Sequence, residues 1–344
     1  MTSLALRRGT IASVERAGPA ARLIVEVAGE RRPALAFTAL TGPVEPGDDV
    51  VVNVAAVDLG LGSGGFDVLH ANLTRGLEGS GEPGAHVMKL NYTSLQHAVL
   101  PVEESAAELE LPLAKPVAVV SLHGQLPCVA WAAGRAAPGA RIGYVQTPGG
   151  ALPGAMSDVV RELRERGLLA GHVAAGAAFA GEREALTVAG ALHAGLSALG
   201  WDAAIAGPGP GILGSATALG HGGVAALDTG HAALALGCRT IVVPRMSSGD
   251  ARPRHRGLSH HSATTLQLLL RPAVVALPDG VSEEVPGDHE LRRGAADLGE
   301  YRASGLPVRT MGRSVDEDEL FFRSALAGGA VLAEEIDGVR ADRE

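Results

Sequence analysis

The 344 residues carry a formal net charge of −9 and are 46% apolar. That is enough to bury two cores, and the acidic excess argues against general nucleic-acid binding. With 3% aromatics there are few platforms on which bases or sugars could stack. The two cysteines, Cys128 and Cys238, have neither metal-ligand nor disulfide-framework spacing; the apolar run at the start is too short for a signal peptide, and no run of about twenty apolar residues goes uninterrupted. The expectation is a cytoplasmic chain of two domains with no membrane partner.

Residues 1–82 alternate short β-rich runs with turns, at 9–14, 23–27, 33–37 and 50–54, the last preceded by a Pro46-Gly-Asp-Asp49 corner. This spacing predicts a small barrel-like β domain. The glycine run at 59–65 could cradle a phosphate but lacks the Lys-Ser/Thr ending of a P-loop, and a plain loop is the simpler reading. Glycine, proline and charge then replace periodicity, so 83–115 reads as a linker and interdomain segment.

From residue 116 to 344 the pattern becomes strand, loop, helix. Continuous apolar runs at 116–121, 141–146, 172–176, 202–206, 240–243 and 273–277 suit strands covered on both faces. Helical patterns at 155–166 and 184–199 lie between them, the first with Met156, Val159, Val160 and Leu163 on one stripe. The fold class expected is α/β: a Rossmann-like, mostly parallel doubly wound sheet with a C-terminal extension, preceded by the β-barrel-like domain. In such a sheet the loops after the strands share one edge, where ligands bind.

Those loops hold the unusual residues. His123 follows the first strand, Thr147, Gly149 and Gly150 the second, and a glycine-rich loop with Gly207, Gly209, Gly211, Gly214, Ser215, Thr217 and His221 the fourth. Its exposed amides could hold an anion at a helix N-terminus, with Ser215 and Thr217 placed as caps, although Gly-Pro turns also serve simply to reverse a chain. After the fifth strand, residues 245–261 pack Arg245, Arg252, Arg254, Arg256, His255, His260, His261 and Asp250 into seventeen positions, with Ser247 among them. The alternating Arg252, Arg254 and Arg256 would share one side of an extended chain and clamp a phosphate. The competing view is a solvated basic face. His255, His260 and His261, with His123 and Asp250, are candidates for proton transfer. Asp250, His255, His260 and His261 are also of the right type for a divalent metal, though without a recognised ligand spacing. Cys128, after Pro127 at a helix start, is read as a small buried residue in preference to an activated thiolate.

Beyond these chemical readings, Met88-Lys-Leu-Asn-Tyr-Thr-Ser-Leu-Gln-His97, Thr147-Pro-Gly-Gly-Ala-Leu-Pro153, the 207–223 loop, Arg245-Met-Ser and His255-Arg-Gly-Leu-Ser-His-His261 together resemble a bacterial family, domain of unknown function 3866, from end to end. That resemblance implies no activity or substrate. The expected function therefore comes from chemistry: a hydrolase or transferase on a small anionic or phosphorylated metabolite. The alternative is a non-catalytic sensor or assembly protein holding a nucleotide-like ligand in the same cleft. Self-association into a homo-oligomer stays open. No glycine fingerprint follows the first strand, which weakens a nicotinamide or flavin oxidoreductase.

Overall fold

The computed structural model describes residues 4–61, 64–79 and 81–341. It divides into two compact units, Met1–Leu100 and Pro101–Glu344.

In the first unit, β1 (Leu6–Arg16), β2 (Ala20–Val27), β3 (Glu30–Phe37), β4 (Asp49–Asn53) and β5 (Asp67–Asn72) close into a barrel in the order β1-β2-β3-β5-β4. Two one-turn helices, α1 (Thr38–Thr41) and α2 (Ala55–Asp58), connect strands. Ala28 and Gly29, both at positive φ, form the two-residue turn that sets β2 on β3 with Val27 opposite Glu30; a turn of that sense matches the twist of the flanking strands. Alternate residues Leu23, Val25 and Val27 point inward with Ile11, Val50, Val52 and Leu69, the period-two pattern of a strand with one buried face. The run at 59–65 falls partly outside the described residues. Within 83–115, β6 (Val87–Lys89) and β7 (His97–Val99) pair as a hairpin of the first unit, and Val102–Ser105 forms a 3-10 turn of the second.

The second unit is a three-layer α/β structure. Its strands are β8 (Pro116–Val120), β9 (Ile142–Thr147), β10 (Gly171–Ala175), β11 (Arg183–Ala185), β12 (Ala203–Pro208) and β13 (Arg239–Val243), then, past the short antiparallel pair β14 (Met246–Ser247) and β15 (Gly257–Leu258), β16 (Val274–Pro278) and β17 (Glu290–Gly294). The sheet runs β11-β10-β9-β12-β8-β13-β16-β17, parallel throughout. β12 is inserted between β8 and β9, which are neighbours in the dinucleotide-binding order. The hairpin β18 (Arg309–Thr310) and β19 (Arg313–Ser314) follows.

Along β8 the residues take sides alternately. Ala118 and Val120 join the core under α3 (Leu126–Ala136), α4 (Asp158–Glu165), α8 (Leu298–Ala303) and α9 (Glu319–Ala341), while Val117 and Val119 join that under α5 (Val188–Ser197) and α6 (Ala225–Ala235). α7 (His260–Leu268) packs beside α6. One sequence expectation needs correction here, and one element was missed. Residues 184 and 185, taken as the start of a helix, belong to the edge strand β11, and the helix begins only after Thr187, whose hydroxyl accepts from the Gly190 amide. α9 did not stand out in the sequence because Gly328 and Gly329 interrupt its apolar stripe. A Cβ at Gly328 would lie 2.5 Å from Val243, and one at Gly329 2.5 Å from the Val129 carbonyl, so these glycines are what let the helix approach the sheet and α3 closely.

Candidate functional site

β13 ends at Val243, and the chain is then gripped from both sides. Gln125 donates to the Val243 and Pro244 carbonyls, the Arg245 amide donates to Ser262 Oγ at 2.8 Å, and the Ser259 amide donates to the Arg245 carbonyl. Pairing of β14 with β15 folds residues 248–256 back over this point. The cluster read from the sequence is thereby gathered at the carboxyl edge of the sheet, beside the loop that follows β12.

Asp250 is the electrostatic centre. It is 1% exposed and receives Arg252 in bidentate fashion at 2.9 Å through each nitrogen, Arg245 at 2.8 Å, and the Arg252 amide. Hydrogen bonding by Arg252 first, and its charge with that of Arg245, hold the carboxyl far below the usual range against the opposing effect of burial. Arg245 is itself 3% exposed; desolvation brings its guanidinium down to about 10 although Asp250 favours the charge. A second buried carboxylate, Asp318, accepts from Ser247 Oγ at 2.7 Å, from the Ser248 and Gly249 amides, and from Arg313 Nε at 2.8 Å. Burial raises the Asp318 carboxyl, but these donors outweigh it and leave it lowered.

Four histidines stand around this ion network. The His221 and His261 rings stack at 3.7 Å with 18° between planes, and His260 lies 3.8 Å from His261. His255 is buried and its Nδ1 pairs with Ser259 Oγ at 2.8 Å. Burial first, then the neighbouring guanidiniums or imidazoles, push all four down: His221 and His255 to about 4, His261 to about 3, and His260 in the same direction. At neutral pH they are uncharged acceptors. His221 Nδ1 accepts the Gly223 amide at 3.0 Å, so its proton sits on Nε2.

A cleft of about 310 Å³ opens here, lined among others by Arg245, Arg252, Arg254, His221, His255, His261, Gly214 and Ser215. A second cavity of about 450 Å³ shares Leu122, Ile212 and Met311 with it and adds His123, Gly209, Gly211, Val159 and Pro307. Met311 and Gly312, both at positive φ, form the turn of the β18–β19 hairpin, which holds the Met311 side chain on both cavities.

Several sequence expectations change. Arg252, Arg254 and Arg256 do not lie along an extended strand, because Pro253–His255 forms a 3-10 turn. Arg252 is committed to Asp250, Arg256 turns to the Asp250 carbonyl at 3.0 Å, and Arg254 has no ion-pair partner among the described residues. Asp250, enclosed by guanidiniums, stands apart from the histidine group that could hold a cation, which is His255, His260 and His261. Ser215 and Thr217 cap no helix: they bond to each other at 2.8 Å and close the 214–221 hairpin through Gly220. His221 instead is the residue at the N-terminus of the turn leading into α6. His123 belongs to the second cavity, with Nε2 2.7 Å from Ser157 Oγ and Nδ1 facing the Pro208 carbonyl at 3.2 Å. Burial lowers it to about 4.

Three of the loop glycines are closed in by the chain itself. A Cβ on Gly149 would lie 2.5 Å from the Gly222 carbonyl, and one on Gly150 2.2 Å from the Gly209 carbonyl; Gly207 is similarly closed off by Val120. Thr147 is buried and bonds to the Pro148 carbonyl. Cys128 is buried, and desolvation pushes its thiol up to about 12, which removes it as a thiolate nucleophile. Asp318 and Arg313 were missed by the sequence reading: they lie far along the chain, in an acidic run that looks like any solvated stretch.

The family model described as protein of unknown function (DUF3866) matches residues 33–329. No curated protein and no solved structure matches the chain.

Proposed function

The chain belongs to the DUF3866 family of proteins of unknown function, and from that premise we propose that it is an enzyme of hydrolase or transferase type acting on a small phosphorylated or otherwise anionic metabolite. The ligand's anionic group sits in the cleft between the 209–223 loop and the 245–261 segment. The observation that carries this reading is the excess of positive charge. Arg245, Arg252, Arg254 and Arg313 gather round only two carboxylates, Asp250 and Asp318, and Arg254 on the cleft has no ion-pair partner among the described residues. Unbalanced guanidiniums in a cleft are the usual receptor for phosphate or carboxylate.

With its imidazoles uncharged, the site offers bases and no acids at neutral pH. His255, held by Ser259 through Nδ1 and lining the cleft, is the group placed to take a proton from an attacking hydroxyl or water. The adjoining cavity, walled by Leu122, Pro127, Val159, Ile212 and Met311, suits an uncharged body attached to the anionic group. A Rossmann-like reading of the layer is supported by its parallel strands and by ligand loops on their carboxyl edge, although β12 is inserted where the dinucleotide-binding order has no strand. Residence in a reducing cytoplasm is supported by two free, buried cysteines. Among the described residues no helix is long and apolar enough to cross a membrane.

Calorimetric titration with inorganic phosphate and a panel of phosphomonoesters tests the proposal. One charge-assisted contact is worth about 1.5–3 kcal/mol, so Arg254→Ala should bind roughly ten- to a hundredfold more weakly. Arg256→Ala, outside the cleft, should bind like the parent. Equal affinities for parent and Arg254→Ala would refute the anion site, and binding without turnover would make the chain a sensor.

A further inference from the structure

We infer that His255, His260 and His261 together bind one divalent cation of the nitrogen-preferring kind, zinc above all, on the wall of the cleft. The inference rests on the reading of that cleft as an anion site, because the cation would face the ligand's anionic group.

The first support is geometric. One nitrogen from each of the three rings lies within 4.8 Å of the other two. A zinc ion with bonds of about 2.0–2.1 Å needs its nitrogens about 3.3 Å apart, so side-chain rotation must close a gap of up to about 1.5 Å. The second support is the state of those nitrogens. His260 Nε2 is buried and makes no hydrogen bond, and neither nitrogen of His261, which is 2% exposed, makes one of standard geometry, although the Ala218 backbone lies close enough to favour its charged form. Buried polar atoms left this way are uncommon and need a reason, and a cation accounts for both rings at once. The third is the support behind the ligands. Ser259 engages His255 Nδ1, which fixes the ring and leaves Nε2 to coordinate, as the second nitrogen of metal-bound histidines is ordinarily held; with the cation bound, that nitrogen is a ligand and no longer the base that takes a proton.

The neighbouring groups are excluded for stated reasons. His221 keeps its proton on Nε2 because Nδ1 accepts the Gly223 amide. Both oxygens of Asp250 are taken by arginines. Three protein ligands with the fourth position open to the cleft are the arrangement of a reactive site; a structural site is closed by a fourth protein ligand. Arg245, Arg252 and Arg254 repel a cation here, so cation and anionic ligand should each bind better in the presence of the other.

The test uses the full chain without a polyhistidine tag, stripped with chelator, then titrated with cobalt(II) alone and followed by calorimetry and visible absorption. The expected result is one equivalent bound with the intensified absorption of a low-coordinate nitrogen site, displaced by zinc. His260→Ala and His261→Ala should abolish it. Ser259→Ala should weaken it about ten- to a hundredfold, while Arg254→Ala should bind cobalt as well as the parent or more tightly. No stoichiometric binding, or binding unchanged in folded His261→Ala, overturns the inference. Should His261→Ala not fold, His260→Gln, at a partly exposed position, decides in the same way. Inorganic phosphate is titrated separately into the metal-free chain. Phosphate binding without a cobalt site overturns the cation alone; a cobalt site without phosphate binding overturns the anion reading and leaves the cation standing.

Discussion

Asp250 decides how far the arginine cluster can serve a ligand at all. Were it absent, Arg245, 3% exposed, would be a buried charge without its nearest counter-ion, and breaking a buried pair from one side costs about 3–5 kcal/mol. Asp250→Ala should therefore lower the free energy of unfolding by roughly that amount in denaturant titration. Arg252→Ala should cost no more than about 1 kcal/mol, since its side chain is 49% exposed; equal losses for the two would refute this division of roles. The sign with pH follows. A carboxyl held below its ordinary 3.8 contributes its stability in full above about pH 5, and that contribution is lost progressively as the pH falls from there through the lowered value. Within the cluster the sequence named residues that the fold also gathers but missed their conformation, because a 3-10 turn begun by Pro253 replaced the extended chain that alternation suggests.

At the scale of elements, the cleft depends on two loops that touch backbone to backbone. A Cβ on Gly222 would lie 1.8 Å from the Gly149 carbonyl, and the Ala151 amide donates to the Pro210 carbonyl. Gly222→Ala must push the loop after β9 from the loop after β12 and carry His221 with it. The expected cost is about 1–3 kcal/mol, with weaker phosphate binding measured on the folded fraction. An unchanged melting temperature and unchanged affinity would mean the loops can part freely. The glycine-rich character of these loops was legible in the sequence; its cause was not, because a glycine facing another chain segment and one facing a ligand are written alike. The apolar strands were legible for a simple reason: burial on both faces leaves a continuous run, as in β8 and β13. Short edge pieces such as β11 and the five-residue β17, exposed at most of its positions, carry no such signal, and Asp318 meets Asp250's network only through tertiary folding.

For the whole molecule, the informative boundary is the one between residues 100 and 101. Composition placed the α/β part from residue 116, where the first strand begins. Yet residues 101–105 are integral to the second unit: Val102 is in the core with Val117, Ala191 and Leu192, and Pro101 bridges to Glu184. Glu103 Oε1 accepts the Leu186 and Thr187 amides at 2.8 and 3.1 Å, meeting backbone donors at the start of α5 that the helix itself cannot satisfy. A fragment of residues 101–344 should thus fold cooperatively and keep its cleft. One of residues 116–344 exposes part of a core and leaves those amides bare, so its melting temperature should be lower by several degrees, as a loss of about 2 kcal/mol or more would give in a domain of this size. Glu103→Ala in the longer fragment should account for part of the difference. Equal melting of both fragments would show that the turn at 102–105 rests on the unit without holding it, and would move the boundary back to the strand.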